Sequence, residues 1–375
     1  MKNKLMIAGA GAGKTHFLVQ ESLKYPNEKI LITTYTQENE RSITQRFISL
    51  NGCVPKHVTI QTWFSFLLQH GVRPFQGSFN DKLFDIEING LIINNGREYG
   101  SFKNKVGVSF PYPENTDFMR HYFVGKTKIL SDRLSKFVFK SNEKTKGAVI
   151  SRISKIFTHI YVDEVQDLAG YDLALLKLFF ESSSKVLLVG DPRQTTFETH
   201  YESKHKNYRN GKIKDFLNTE IEVKKTPFEI DEQTLSASHR SNQAICDFSS
   251  QLYSNDFEAT QPCRCCPNTG IDHQGIFTVN KKNVTQYLEQ FKPVQLRWNL
   301  KQGVNENFQF CNFGASKGQT YERVLIYPTP KMLNWLKNGE NLEGKAKAKL
   351  YVAITRAKYS VAFVMDSKIA NIQQY

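Results

Sequence analysis

A run of small residues, AGAGAGKT from Ala8 to Thr15, has the residue types and spacing that bind a phosphate group. Glycines let backbone N–H groups curl around a phosphate without a side-chain clash, while lysine and threonine can reach its outer oxygens and Mg²⁺. The apolar run LMIA precedes the segment and the helical pattern HFLVQESLKY follows it, which predicts a strand, a phosphate loop and a helix. An ordinary glycine-rich turn is the alternative. In the phosphate-loop interpretation, the nucleotide-binding residues are Ala10, Gly11, Ala12, Gly13, Lys14 and Thr15.

Two acidic residues follow a second strand-like run. Residues 158–162, THIYV, lead into Asp163 and Glu164, and an apolar helical pattern comes after them. Carboxylates at the end of a strand suit a phosphate and metal site, because Asp163 can hold Mg²⁺ while Glu164 orients and deprotonates the attacking water. Taken alone, such a pair is usually a solvated loop.

A third strand-like run, KVLLVG, ends in a polar turn that contains Gln194. A side-chain amide at this place can sense a terminal phosphate without adding charge. Because the loops at one end of a parallel sheet lie close together, the three segments are predicted to converge on one nucleotide.

Composition limits the classes of protein to which the chain can belong. The 375 residues include 50 Lys and Arg against 36 Asp and Glu, a net charge of +14, and 40% of them are hydrophobic. This balance excludes disorder as the main state and favours a polyanionic partner. No apolar stretch is long enough to span a bilayer and the N-terminal run lacks a signal-peptide cleavage pattern, so we predict a cytoplasmic protein with no membrane partner.

The cysteine pattern does not resemble a secreted disulfide framework, and reduced thiols are expected. The cluster CRCC, Cys263 to Cys266, with His273 downstream has side chains that can hold Zn²⁺. It lacks two C-x₂-C pairs, however, so the favoured interpretation is ordinary cysteines near a turn, and zinc binding stays open.

Six segments resemble, in order, the motifs of the superfamily 1A helicases, the UvrD/Rep family. They are AGAGAGKT (motif I), YVDEVQD (motif II), VGDPRQTTF (motif III), SASHRSNQAICDF (motif IV), NFGASKGQTYERVLIYP (motif V) and YVAITRAK (motif VI). The resemblance implies an α/β fold of two RecA-like P-loop NTPase lobes, each a parallel sheet flanked by helices, with a small subdomain inserted in the first. It also implies that the cofactors are ATP and Mg²⁺.

The same resemblance implies that Arg240 and Arg356 of the second lobe are catalytic, together with Lys14, Glu164 and Gln194 of the first. A guanidinium suits this role because its fork of donors stabilises charge on a phosphoryl group during transfer. Without the resemblance, both arginines would be interpreted as surface ion-pair residues.

Two further segments, ILITTYTQENE and QTWFSFL, resemble motifs that contact single-stranded nucleic acid. Hydroxyl groups can hold phosphates and aromatic rings can stack on bases, although an aromatic residue taken alone is more often in a core. The resemblance implies that the motif V segment lies beside the nucleic-acid strand and that its Gly318 lies beside the nucleotide. The implied nucleic-acid contacts are Tyr35, Thr36, Thr62, Trp63, Ser65, Phe197, Ser316 and Lys317.

The spacing of the motifs predicts the domain organisation. Residues 1–70 and 151–235 are assigned to the first lobe (1A), residues 71–150 to an inserted subdomain like 1B, and residues 236–375 to the second lobe (2A). The stretch between motifs IV and V is too short for the 2B subdomain of larger family members.

We therefore expect a helicase or translocase that hydrolyses ATP on single-stranded DNA, moving 3′ to 5′ by inference from the family alone. Two departures from the family matter: the adenine-reading Q motif has no counterpart before Ala8, and Thr320 stands where a ribose-binding glutamate is usual. The alternative is a nucleotide-dependent switch ATPase subunit of a DNA repair or phage-defence complex, with a protein partner such as a nuclease. RNA in place of DNA also stays open.

Overall fold

The computed structural model describes residues 2–94, 98–196, 204–265 and 270–375, and the chain divides into two compact units. The first unit comprises Met1–Leu5, Thr15–Val189 and Glu198–Ile230, and the second comprises Met6–Lys14, Gly190–Phe197 and Asp231–Tyr375. The phosphate-loop segment and the turn with Gln194 thus group with the C-terminal part of the chain. The domain boundaries expected at residues 70, 150 and 235 stay predictions.

The strands of the first unit build its main sheet and two small ones. They are β1 (Asn3–Ile7), β2 (Ile30–Thr34), β3 (Val58–Thr62), β4 (Gly90–Ile92), β5 (Ser101–Lys103), β6 (Ser109–Pro111), β7 (Phe123–Val124), β8 (Lys128–Leu130), β9 (His159–Asp163), β10 (Lys185–Gly190) and β11 (Phe228–Asp231). In the described residues the main sheet has the order β11-β1-β10-β9-β2-β3.

The centre of the main sheet is parallel and buried on both faces. β9 pairs in parallel with both β10 and β2, and β2 with β3. The sequences ILITT of β2 and HIYVD of β9 are buried at every position, as expected for strands that have helices on both faces. The register pairs Val189 with Asp163, so the ends of β9 and β10 lie side by side.

The helices of the first unit flank this sheet or belong to the inserted region. They are α1 (Lys14–Leu23), α2 (Gln37–Asn51), α3 (Trp63–Phe66), α4 (Gln76–Phe79), α5 (Phe118–Tyr122), α6 (Ser131–Lys144), α7 (Ala148–Ile156), α8 (Tyr171–Phe180) and α9 (Ile213–Glu220). The inserted region packs around an aromatic cluster, in which the ring of Phe79 lies 4.6 Å from Phe137 and 5.5 Å from Phe118.

The second unit contains the second α/β layer structure. Its strands are β12 (Ala237–Ser238), β13 (Gln261–Pro262), β14 (Gly275–Val279), β15 (Val294–Arg297), β16 (Phe310–Asn312), β17 (Tyr321–Ile326), β18 (Ala357–Val364) and β19 (Gln373–Gln374). Its helices are α10 (Gln243–Ser250), α11 (Val284–Phe291), α12 (Pro330–Asn338) and α13 (Gly344–Ile354).

The second main sheet has the order β16-β15-β17-β18-β14-β19 in the described residues, and its pairings are parallel. Side chains alternate between its faces. Val324 and Ile326 of β17 belong to one buried core, while Leu325 between them belongs to the core on the other face. Both units therefore consist of a parallel sheet with helical layers, which confirms the expected fold of two RecA-like lobes with a small insertion. Among the described residues, no helix has the length and apolar content to cross a membrane.

A buried polar contact fixes the start of α3 in the first unit. The indole Nε1 of Trp63 donates to Asp172 Oδ1 at 2.7 Å, and the Ser135 hydroxyl donates to the same oxygen. Trp63 is 1% exposed and Asp172 is 0% exposed. Trp63 is thus a core residue that donates to a buried carboxylate, and its contact with nucleic acid stays a prediction.

Trp63→Phe is expected to lower the free energy of unfolding by about 1–3 kcal/mol, because the buried Asp172 carboxylate loses one donor. Urea unfolding followed by far-ultraviolet circular dichroism measures this change. The control is Trp335→Phe, since Trp335 is only partly buried in its core. Equal unfolding midpoints for the two variants would contradict this role of Trp63.

Candidate nucleotide-binding site

The phosphate-loop segment follows β1 and has a tight backbone. Gly11 and Gly13 have φ of 74° and 81°, a region that glycine adopts without strain. A Cβ at Gly11 would lie 2.8 Å from Arg240 Cβ and 2.8 Å from Ser238 Oγ, so no larger residue fits there. The N–H of His239 donates to the Gly11 carbonyl at 2.9 Å. The loop is therefore held against residues 238–240 of the same unit.

The small residues of the loop face inward. Ala10 is 3% exposed and Ala12 is 4% exposed, and the Ala12 N–H closes a turn onto the Gly9 carbonyl at 3.2 Å. Their side chains pack in the core, so only their backbone groups are available to a ligand. Alanine suits these buried positions because its side chain is a single methyl group.

A buried carboxylate, Asp191, organises the turn after β10. It is 0% exposed, and it accepts from Arg193 Nε at 2.7 Å and from Gln194 Nε2 at 2.8 Å. The Tyr351 hydroxyl lies 3.5 Å from its second oxygen. Burial raises the pKa of that hydroxyl, so Tyr351 stays protonated and able to donate.

Arg193 connects this turn to the phosphate loop. Its Nη2 donates to the Ala8 carbonyl at 3.0 Å and its Nη1 to Thr260 Oγ1 at 3.3 Å. The guanidinium also lies over the rings of Phe257 and Tyr351, at 5.2 and 5.4 Å. Burial alone would lower the pKa of Arg193, but the Asp191 carboxylate more than offsets this effect and raises it. A permanently charged arginine thus fixes the start of the loop.

The side chains of Gln194 and Arg356 are hydrogen-bonded to each other. Arg356 Nη2 donates to Gln194 Oε1 at 3.0 Å, while Arg356 Nη1 donates to the Gln319 carbonyl at 3.2 Å. Gln194 is 3% exposed and Arg356 is 2% exposed. These two catalytic candidates, which are 162 residues apart, therefore lie in one buried network with Asp191.

Arg240 lies on the other side of the loop. Its Nη1 donates to the Thr355 carbonyl at 2.9 Å, and its N–H donates to Ser238 Oγ at 3.3 Å. Thr355 adjoins Arg356, so both arginines are positioned by the end of α13. The second unit thus brings the phosphate loop, Gln194 and both arginines together. Their catalytic roles stay predictions.

The other candidates for nucleotide chemistry lie in the first unit. Thr15 is in the first turn of α1, and Asp163 ends β9 with 4% exposure. Glu164 follows with a φ of 55°, and its carboxylate accepts from the Gln166 side chain. This left-handed backbone turns Glu164 away from the strand direction. Thr15 and Asp163 offer hard oxygen ligands, the kind that suits Mg²⁺.

The proposed nucleic-acid residues of the first unit lie at the ends of neighbouring strands. Tyr35 and Thr36 follow β2, and its partner β3 ends at Thr62, which pairs with Thr34. The hydroxyls of Thr36 and Thr62 cap α2 and α3, where they accept from the N–H groups of Asn39 and Ser65. Tyr35 packs edge-on against the ring of Phe64 at 5.4 Å. Tyr35, Thr36 and Ser65 keep exposed surface at this edge.

The motif V segment is only partly available to ligands. Ser316 is 0% exposed and its hydroxyl donates to the Phe313 carbonyl at 2.8 Å, so it shapes the turn. Its contact with nucleic acid stays a prediction. Lys317 is partly exposed, and Gly318 is exposed with a φ of 84°. Phe197 lies outside the described residues.

A cavity of about 490 Å³ in the second unit adjoins Gly9 and Arg193. Carboxylates of Glu232, Asp256 and Glu258 line it. Acidic groups repel a phosphate, so the cavity can accept the uncharged end of a nucleotide rather than its phosphates.

In the structure, His273 does not group with the described cysteines of the candidate zinc cluster. His273 lies between the rings of Phe277 and Phe291, at 3.9 and 3.7 Å, and it hydrogen-bonds the Tyr287 hydroxyl at 2.7 Å. Burial lowers the pKa of His273 to about 4, so it is a neutral core residue at neutral pH. The described cysteines of the cluster lie beside His239 instead.

Sequence reasoning missed Asp191, Arg193 and Tyr351, which form the buried centre of the site. For Asp191 and Arg193, the only signal in the sequence was their position on either side of Pro192, just before Gln194. A charged pair in a polar turn is usually solvated, and only the packing of Tyr351 over it shows that this pair is buried.

Comparison with known proteins yields one family match. The model of a family described as "AAA domain" matches residues 1–199, more than half of the 375-residue chain. None of the curated proteins matches the sequence.

Two solved structures of arterivirus nonstructural protein 10 (helicase), one of them in complex with DNA, are similar at 15% sequence identity. They cover 97% of this chain with TM-scores of 0.45 and 0.44. The chain spans only 59% and 61% of the length of those two proteins.

Arg193→Met is expected to lower the free energy of unfolding by about 3–5 kcal/mol, because it leaves a buried carboxylate without its cation. Thermal unfolding of the full chain measures the loss. Lys281→Met is the control, since the Lys281 and Asp366 side chains form an ion pair that is 73% and 55% exposed. If both variants melted together, Arg193 would not hold this turn in place.

Proposed function

The chain belongs to the AAA domain family, and on that premise we propose that it is an NTP-hydrolysing motor, an ATP-dependent translocase or helicase on single-stranded DNA. The observation that carries the proposal is the buried chain of hydrogen bonds from Asp191 through Gln194 to Arg356 in the unit that holds the phosphate loop. An amide and a guanidinium held there match the chemistry of a terminal phosphate, because both stabilise negative charge without supplying a nucleophile.

The roles of the individual residues follow from their chemistry. Lys14 contacts the β and γ phosphate oxygens, and Arg240 and Arg356 stabilise charge on the phosphoryl group during transfer. Glu164 accepts the proton of the attacking water. Thr15 and Asp163 are the residues that would hold Mg²⁺, which would neutralise phosphate charge.

ATP is the proposed substrate, by the resemblance to the UvrD/Rep family. The acidic cavity beside Gly9 and Arg193 accepts the base and sugar, and its carboxylates accept hydrogen bonds from amino or hydroxyl groups. Adenine and guanine both carry an amino group from which these carboxylates can accept, so discrimination between ATP and GTP is expected to be weak.

The proposed partner is single-stranded DNA, and a net charge of +14 supports a polyanionic ligand. Tyr35 and Thr36, which are partly exposed, and Ser65, which is exposed, share one edge of the first sheet, where their hydroxyl and aromatic groups contact phosphates and bases. Lys317 adds a cation in the second unit. Movement from 3′ to 5′ is proposed from the resemblance to the UvrD/Rep family.

Lys14→Ala is expected to lower ATP turnover roughly 100-fold or more, because it removes a cation from the phosphates. Glu164→Gln is expected to lower turnover by about 100-fold to 10,000-fold while nucleotide still binds, because only the base is lost. Phosphate release by the purified full chain, with and without an oligo-dT strand, measures both effects.

The controls for these variants are Lys24→Ala and Glu181→Gln, which change exposed residues of the first unit. Both should turn over like the unsubstituted chain. Normal turnover by Glu164→Gln would refute the assignment of the base. Nucleotide binding without turnover under every condition would instead favour the switch ATPase subunit that depends on a partner.

Strand specificity is tested with DNA and RNA oligomers of equal sequence at two salt concentrations. Stimulation by DNA should fall steeply as salt rises, because binding to phosphates releases counterions. Preference for RNA would identify a contact to the 2′-hydroxyl and contradict the DNA assignment. Duplexes with a 3′ or a 5′ single-stranded tail then test direction, and displacement only from the 5′-tailed duplex would contradict 3′ to 5′ movement.

A further inference from the structure

The second unit contains a cluster of three side chains that can bind a metal ion and that are not among the proposed catalytic residues. His239, Cys263 and Cys265 offer an imidazole nitrogen and two sulfurs, which all lie within 4.8 Å of one another. Cys265 Sγ is 3.2 Å from Cys263 Sγ and 3.4 Å from His239 Nδ1. We propose that His239, Cys263 and Cys265 form a binding site for Zn²⁺.

Backbone pairing sets the positions of these residues. β12 and β13 are parallel, with Ala237 opposite Gln261 and Ser238 opposite Pro262. The next residue of each strand is therefore a ligand, His239 on one side and Cys263 on the other. The Cys263 N–H donates to the Ser238 carbonyl at 2.8 Å, which continues the pairing to the ligands themselves.

The distances fit a tetrahedral zinc ion. With Zn–S of about 2.3 Å and Zn–N of about 2.0 Å, a tetrahedral site places its sulfurs about 3.8 Å apart and a sulfur and nitrogen about 3.5 Å apart. The observed distances of 3.2 and 3.4 Å are shorter than these by about 0.6 and about 0.1 Å, so the two sulfurs would move apart to hold the ion.

The donor chemistry selects a zinc-type ion rather than Mg²⁺. Thiolates and imidazole bind Zn²⁺ well, whereas Mg²⁺ prefers oxygen ligands. Two thiolates would neutralise the 2+ charge of the ion. The three protein ligands leave the fourth position to water or to another sulfur.

Cys246 shows what a structural thiol in the same unit is like. It is 2% exposed, its Sγ donates to the Ser241 carbonyl at 3.6 Å, and burial raises its pKa to about 12. Such a thiol has almost no surface that an ion in solution can reach. Cys265, by contrast, is exposed and accessible to an ion.

The site adjoins the nucleotide chemistry without being part of it. The backbone of His239 is bonded to Gly11 of the phosphate loop at 2.9 Å, and Arg240 is the next residue. Zinc at this place would tie β12, β13 and the loop together. This structural function does not depend on the proposed motor activity.

The full chain, purified without chelator from zinc-supplemented medium, should contain one equivalent of zinc by mass spectrometry of the metal. Cobalt exchanged into the site should show thiolate-to-cobalt charge-transfer absorption, which reports sulfur ligands without any substitution. Absence of bound zinc together with absence of this absorption would overturn the proposal, whether or not the protein hydrolyses ATP.

Substitutions identify the ligands. Cys263→Ser, Cys265→Ser and His239→Gln should each weaken zinc binding by at least about 100-fold, while the exposed Cys53→Ser should bind like the unsubstituted chain. Circular dichroism checks that each variant is folded. Unchanged zinc binding in any of the three ligand variants, or a disulfide between Cys263 and Cys265 in the zinc-treated protein, would overturn the proposed ligand set.

Discussion

A carboxylate without any exposed surface has to be satisfied by its neighbours, and Asp191 is that group in the second unit. Its partners are Arg193, Gln194 and Tyr351. Because each partner also bonds or packs elsewhere, the requirement to neutralise one charge positions several segments. Arg193 reaches the phosphate loop, and Gln194 reaches Arg356. A buried charge of this kind contributes little net stability, but removing one partner is costly, which explains how it can specify a single arrangement.

The fold and the local elements of the site could be predicted because their signals are local. The run LMIA predicts the end of β1, THIYV predicts β9 and KVLLVG predicts β10, since apolar runs of this length between polar turns are typical of parallel strands. The glycines of the phosphate loop were recognised from their spacing, and two of them have the positive φ that this motif requires.

The burial of individual side chains could not be predicted, because it depends on packing between segments that are distant in the sequence. Trp63 and Ser316 have side chains that could contact nucleic acid, yet one satisfies Asp172 and the other closes a turn. The same limit hid the metal candidate. His273 is nearer to the cysteines in sequence, but strand pairing places His239 beside Cys263, and that pairing joins two-residue strands too short to predict.

The bonds within the site also constrain how a nucleotide can act on it. The Gln194 amide uses its oxygen for Arg356 and its nitrogen for Asp191, and Arg356 donates in addition to the Gln319 carbonyl. A terminal phosphate that takes the place of the Gln194 oxygen on Arg356 Nη2, or of Asp191 on the Gln194 amide, replaces one of these hydrogen bonds. Phosphate binding is then an exchange of hydrogen-bond partners. Its free energy is the difference between the network bonded to itself and the network bonded to the phosphate. An exchange between two hydrogen-bonded states can be reversed by the presence or absence of one phosphate, and the proposed nucleotide-dependent motor requires this property.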